Sequence, residues 1–380
     1  MKLWSRSGAI LFSSCLWASA ALAQPAVNDG KVVQNFEGGQ TSWLPFGEGV
    51  GIGVTRDAEH VKSGNAALQF NYQIQKGQLQ AMLMPVNQGR LARLQSIQFW
   101  VKAGQATSLA MLLQEGENGG RYLALFAAPE QQWQKVELTP DDFSLMQDKD
   151  SPKDTNGQLD LDQVQFVALG DFAQFLANAE GPMAQLFQVR EGPRTLYLDD
   201  LELSSEPLPN LPAEPADAVS IDYFAHPQLN WLAVGSVFLE RRENTPANQD
   251  RPIPGLQFDY RRTKGQLSGL MRWVKNRSLQ GTKGLAMEIS SERAVTLAVQ
   301  LEEVGGGKYF SLLELPAGGE IHPVTLPYAQ FNASNDSRDE NGRLDLEQVQ
   351  QLLILDTAAF TGEGEGDDNV VWLSNLRATK

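Results

Sequence analysis

The chain states one pattern twice. Residues 68–79 (LQFNYQIQKGQL) and 256–267 (LQFDYRRTKGQL) agree at 8 of 12 positions with a spacing of 188. The same spacing carries Phe36 onto Phe224, Trp43 onto Trp231, Leu138 onto Leu326, Phe143 onto Phe331 and Arg121 onto Tyr309. Further on, NGQLDLDQV at 156–164 returns as NGRLDLEQV at 341–349, now 185 apart. A solenoid unit repeats every 20–50 residues or so, and this period is far longer. The chain is therefore a duplicated domain. Any fold assigned to it must be built twice, and the positions where the copies differ become informative.

Within each copy the dominant period is two. Ile97, Phe99 and Val101 alternate with Gln98, Trp100 and Lys102, and Leu285, Met287 and Ile289 alternate with Ala286, Glu288 and Ser290. Such runs, separated by Gly, Asn, Asp and Pro clusters, are half-buried strands. Their number and spacing predict an all-β chain of two tandem antiparallel β-sandwich, jelly-roll domains. The expected boundaries are 32–203 and 218–380, joined over 204–217 by SSEPLPNLPAEPAD, whose four prolines make a stiff, extended linker. Helical signal is sparse. The best candidate runs over 171–188, broken by Gly181-Pro182, and copy two is shorter there, over 356–366.

Residues 1–23 read as an export signal. Lys2 and Arg6 precede a small-residue apolar run that ends in an A-x-A site at Ala21-Leu22-Ala23. The run is too short for membrane insertion, which takes about 20 apolar residues. The expected location is periplasmic or secreted. The only cysteine, Cys15, lies inside this leader, so no disulfide supports the mature chain. Removing the leader takes the formal net charge from −15 to −17. That disfavours nucleic acid and anionic lipid as partners, since both need clustered cations.

Catalytic motifs are absent. Mature histidines are only His60, His226 and His322, widely separated, and no zinc-ligand spacing or G-x-S-x-G elbow occurs. Asp148, Asp150, Asp154, Asp160 and Asp162 crowd a polar loop, where carboxylates stay solvated rather than acquiring the raised pKa of a general acid. The expectation is a protein that is not an enzyme. Aromatics remain as carriers of binding. Trp43 and Trp231 are equivalent and suit a shared core. Trp100 sits on the polar phase of its strand, flanked by Gln98 and Lys102, where copy two has Glu288. A tryptophan so placed either stacks on a ligand or lies beneath a covering loop. Arg121 in copy one, with Tyr309 and Arg272 in copy two, completes the candidate ligand-binding set.

The opening Asn35-Phe36-Glu37-Gly38, the segment Val61-Lys62-Ser63-Gly64-Asn65-Ala66-Ala67-Leu68 and the closing Thr195-Leu196-Tyr197-Leu198-Asp199-Asp200-Leu201 together resemble the galactose-binding-like jelly rolls. The likeness is to carbohydrate-binding modules of family 11 and their relatives. The resemblance implies a non-catalytic, exported protein that engages a polysaccharide or glycan through sheet faces or loops. It also implies a structural calcium in copy one, held by Glu37 and Asp199 with Asp200 as a further donor. Copy two has Ala225, Ser374 and Asn375 at those positions, and no calcium is expected there. The plain alternative for Asp199 and Asp200 is a pair of strand-end carboxylates. A second functional reading is an envelope scaffold or assembly protein whose sandwich faces bind other proteins.

Overall fold

The computed structural model describes residues 26–380 apart from 29–30, 117–118, 147–153, 155, 179–186, 188, 210, 214, 245–252 and 276. The leader at 1–23 lies outside the described residues. The chain divides into two compact units between residues 209 and 210.

Each unit is a sandwich of two antiparallel sheets. In the first unit, the closing strand Gly192–Ser204 is central to the first sheet. It pairs on one side with Ala67–Ile74 and Lys31–Gln34 and on the other with Ser96–Ala103. Gly51–Thr55 extends the sheet beyond Ala67–Ile74, and Trp133–Leu138 extends it beyond Ser96–Ala103. The second sheet runs Ser144–Leu145, Arg121–Ala128, Thr107–Glu115, Val164–Asp171, Ala81–Pro85, Leu44–Phe46. The second unit repeats the plan. Its first sheet centres on Asp368–Thr379, and its second runs Leu232–Val234, Gly269–Trp273, Val349–Asp356, Val295–Glu303, Lys308–Leu315, Asn332–Ala333.

The period-two pattern supplies the core. Phe70, Phe99, Leu109, Phe126, Leu169 and Leu198 point inward from both sheets of the first unit and are fully buried. Each such side chain contributes roughly 1.5–3 kcal/mol by leaving water. The duplication reaches backbone detail. Phe36 (φ 60°) and Phe224 (φ 55°) take the same left-handed conformation, as do Asp200 (φ 49°) and Asn375 (φ 50°). Asp and Asn are the side-chain-bearing residues that tolerate this conformation best, so the Asp-to-Asn difference preserves a corner in the closing strand.

The two sheets are latched alike in both units. Tyr72 Oη donates to Asp171 Oδ2, and Tyr260 Oη to Asp356 Oδ2, each at 2.6 Å. The second unit adds Arg262, whose Nε lies 2.9 Å from the same Asp356 oxygen. The helix expected over 171–188 amounts to Ala173–Ala177, with a short counterpart at Ala358–Thr361. The remainder of that expectation falls mostly outside the described residues.

Candidate binding faces

Gln98, Trp100 and Lys102 lie on the outer face of the first unit's first sheet, as their alternation requires. Trp100 is half-buried between Lys135 and Asp199 on the neighbouring strands. It is not an open platform. The strap of residues 57–66 crosses this face and places Lys62 Nζ 4.0 Å from the centre of the Trp100 ring. Nearby, the His60 ring stacks on Tyr197 at 4.1 Å. Lys102 is buried and donates from Nζ to the Glu59 carbonyl at 3.0 Å. Of the two sequence readings of Trp100, the covering loop describes its surroundings.

The strap brings the expected metal-binding carboxylates together. Asp199 Oδ2 accepts from the backbone N–H of Lys62 at 2.9 Å and of Ser63 at 3.1 Å, while Oδ1 accepts from Asp200 N at 2.8 Å. Glu37 Oε1 accepts from Asn65 N at 2.7 Å and Ala66 N at 3.2 Å. Asp200 Oδ2 accepts from Ser63 Oγ at 2.6 Å. Burial pushes the Asp199 carboxyl above its ordinary range, whereas the Asn65 amide holds Glu37 below its own. Gly64 completes the fit, because a Cβ there would lie 2.1 Å from Glu37 Oε1. Calcium takes roughly 6–8 oxygen ligands, including carbonyls. Here the strap turns N–H groups, not carbonyls, toward the carboxylates. Among the described residues no group of three or more His, Cys, Asp or Glu side chains converges to hold a metal ion. This donor set does not fit calcium.

Tyr309 and Arg272 face inward. Tyr309 is buried, and its hydroxyl donates to Asp339. Its counterpart is Tyr122, bonded to Asp154, rather than Arg121. Register proves the point: Tyr122 stands opposite Leu113, and Tyr309 opposite Leu301, 188 residues on. The hairpin between these strands is one residue shorter in copy two, which shifts the repeat to 187 and aligns Arg121 with Lys308. A one-residue slip moves a side chain to the other face, so Tyr309 points inward, where a constant spacing of 188 would set it outward at the position equivalent to Arg121. Arg272 spends its charge internally, with Nη1 2.7 Å from Asp222 Oδ2. Arg121 does lie on an outer face, that of the first unit's second sheet, where Nε donates to Gln114 Oε1 at 2.7 Å.

The outer face of the second unit's second sheet is where aromatic, apolar and amide side chains are ranked in rows. One row runs across four strands as Trp273, Gln351, Glu302, Lys308. The next runs Met271, Leu353, Gln300, Phe310, and beside it Leu312 is 55% exposed. Trp273, Gln300 and Phe310 are half-buried, and Gln300 Nε2 donates to Glu302 Oε1 at 2.7 Å. Burial pushes the Glu302 carboxyl up, against the pull of Lys308. With strands about 4.8 Å apart, the two aromatic residues stand at opposite ends of a span of roughly 14 Å. The first unit fills the equivalent rows with Pro85, Phe166, Gln114, Arg121 and with Leu83, Ala168, Leu112, Leu123, and there an apolar cluster forms around Leu83, Leu112 and Phe46. Alternation in Val295–Glu303 and Lys308–Leu315 carried this signal in the sequence. Met271, Leu353, Gln351 and Glu302 are buried within these rows, so Trp273, Gln300, Lys308, Phe310 and Leu312 are the side chains that reach the surface.

Among solved structures, part of this chain is similar to a family 11 carbohydrate-binding module from Clostridium thermocellum in complex with a β-1,3-1,4-mixed-linked tetrasaccharide. The identity is 13% and the TM-score 0.35, over 44% of this chain and 97% of that one. The tandem CBM22-1–CBM22-2 domains of Paenibacillus barcinonensis Xyn10C match over 91% of this chain and 96% of theirs, at 13% identity and TM-score 0.27. TmCBM61 in complex with β-1,4-galactotriose matches over 45% of this chain and 94% of its own, at 12% identity and TM-score 0.25. No family model matches the chain, and no curated protein does. The class that the topology itself defines is a tandem, all-β, antiparallel sandwich protein.

Proposed function

We propose that the protein is a non-catalytic, exported glycan-binding protein whose binding face is the outer surface of the second unit's second sheet. The observation that carries this reading is the pair of rows from Trp273 to Lys308 and from Met271 to Phe310. A sugar ring presents an apolar C–H face and a rim of hydroxyls. Aromatic and aliphatic side chains take the first, and amides and a carboxylate take the second. Half-buried Gln300 supplies an amide between Trp273 and Phe310, while Gln351 and Glu302 are buried. Export is read from the leader at 1–23. Among the described residues no helix is long and apolar enough to cross a membrane.

Affinity electrophoresis of the mature chain through gels containing a panel of neutral polysaccharides tests the reading. At least one should retard the protein, and Trp273→Ala should release it with the melting temperature preserved. Retardation by no glycan, together with capture of a defined envelope protein that Trp273→Ala abolishes, would transfer this face to the scaffold reading.

A further inference from the structure

Glu37, Asp199 and Asp200 each receive hydrogen bonds from the strap of residues 57–66, and the proposed glycan face does not include them. We propose that Glu37 and Asp199, by receiving the strap's backbone amides, and Asp200, by receiving the Ser63 hydroxyl, form a metal-independent clamp that holds the strap over Trp100 and Tyr197. The inference stands apart from the glycan reading, since it concerns the other sheet of the other unit.

Among the described residues the strap has no strand partner across the face it covers. It consists of a single 3₁₀ turn, Ala58–His60, and irregular chain. Its amides at Lys62, Ser63, Asn65 and Ala66 are donors that belong to no strand ladder. Asp199 meets two of them and Glu37 the other two. Hydrogen bonds to an ionised acceptor are about twice as strong as neutral ones, which suits a carboxylate over an amide or hydroxyl here. The oxygen lone pairs used in this way face the positive ends of N–H dipoles. A calcium ion at the same oxygens would face those same positive ends.

Side-chain contacts finish the attachment. Lys62 lies over Trp100, His60 stacks on Tyr197, and Lys102 holds the Glu59 carbonyl. Asn375 keeps the left-handed corner of Asp200 without its charge, so the corner needs no carboxylate. The negative charges of copy one therefore go with the strap. The clamp closes the outer face of this sheet, which is why Trp100 and Lys102 are occupied from within the molecule.

The test uses the full mature chain. Thermal unfolding is followed with chelator and with the millimolar calcium that extracellular sites require, while amide hydrogen exchange is read at Lys62, Ser63, Asn65 and Ala66. The expected result is one melting temperature in both conditions. Asp199→Asn should speed exchange at Lys62 and Ser63 by about tenfold, and Glu37→Gln should do the same at Asn65 and Ala66. Glu37, at the more exposed end of the strap, keeps the test readable should Asp199→Asn fail to fold. Calcium that raises the melting temperature of the wild type but not of these variants would overturn the clamp, as would variants with unchanged exchange. A calcium response that both variants keep comes from elsewhere and leaves the clamp standing.

Discussion

Arg272 Nη1 meets Asp222 Oδ2 at 2.7 Å inside the second unit, at the two positions where the first unit places Met84 against Gln34. Gln34 Nε2 lies 2.8 Å from Met84 Sδ. The same Asp222 oxygen also receives Trp231 Nε1 at 2.8 Å, whereas the equivalent Trp43 Nε1 has no hydrogen-bond partner among the described residues. The two copies thus solve one position in two ways, one ionic and one neutral. Breaking a buried pair on one side strands a charge and costs about 3–5 kcal/mol, while replacing both partners is often neutral. Arg272→Met alone should therefore destabilise the second unit by that order. Adding Asp222→Gln should restore most of the loss. Denaturant unfolding of the single and double variants measures the coupling, and simple additivity would refute it.

Asp171 gives a pH dependence. Burial raises its carboxyl above the ordinary 3.8, against hydrogen bonds from Tyr72, Thr107 and the Ala173 amide. The folded state therefore binds this proton more tightly than the unfolded chain does. Stability contributed by the group is fullest below 3.8 and is lost as pH rises from there through the raised value. Asp171→Asn should flatten the slope of melting temperature against pH in that window. An unchanged slope would show that other carboxylates set it.

Tyr309 should behave as a structural residue. Tyr309→Phe leaves Asp339 without its phenol donor and should cost about 1–2 kcal/mol, with no change in glycan retardation. Tyr122→Phe should do the same through Asp154 in the first unit. Loss of glycan binding in Tyr309→Phe at unchanged stability would give the Tyr309 hydroxyl a direct role in binding.

Trp100 and Trp273 should separate cleanly. Trp100→Ala removes the ring beneath Lys62, so it should lower the melting temperature and leave glycan retention intact. Trp273→Ala should give the converse. The comparison in one affinity gel assigns the binding face, and retention lost only in Trp100→Ala would move it to the first sheet of the first unit.

Gly307 packs against a buried acid. A Cβ there would lie 2.1 Å from Glu303 Oε2, and at the equivalent Gly120 it would lie 2.5 Å from Tyr122 Cε2. Either Gly→Ala change should cost roughly 1–3 kcal/mol through overpacking, readable as a lower melting temperature. A neutral effect at both sites would mean that the hairpins relax freely.

The sequence by itself determined the duplication, the all-β class and the phase of each strand. Alternation in Ile97–Val101 put Trp100 on an outer face, and two copies of one pattern required two sandwiches. These features are legible because side-chain alternation and turn chemistry are local. Three others were decided only by the tertiary structure. Lys62 and Asp199 are 137 residues apart, and no local pattern says that the strap's amides would fall on that carboxylate. A single residue missing from one hairpin turned Tyr309 inward, because register counts residues through a turn whose length the repeat did not preserve. Which outer faces are covered likewise depends on which loops cross which sheet. Trp100 and Trp273 both stand half-buried on outer faces, and that residues 57–66 lie over Trp100 is shown only by the folded chain.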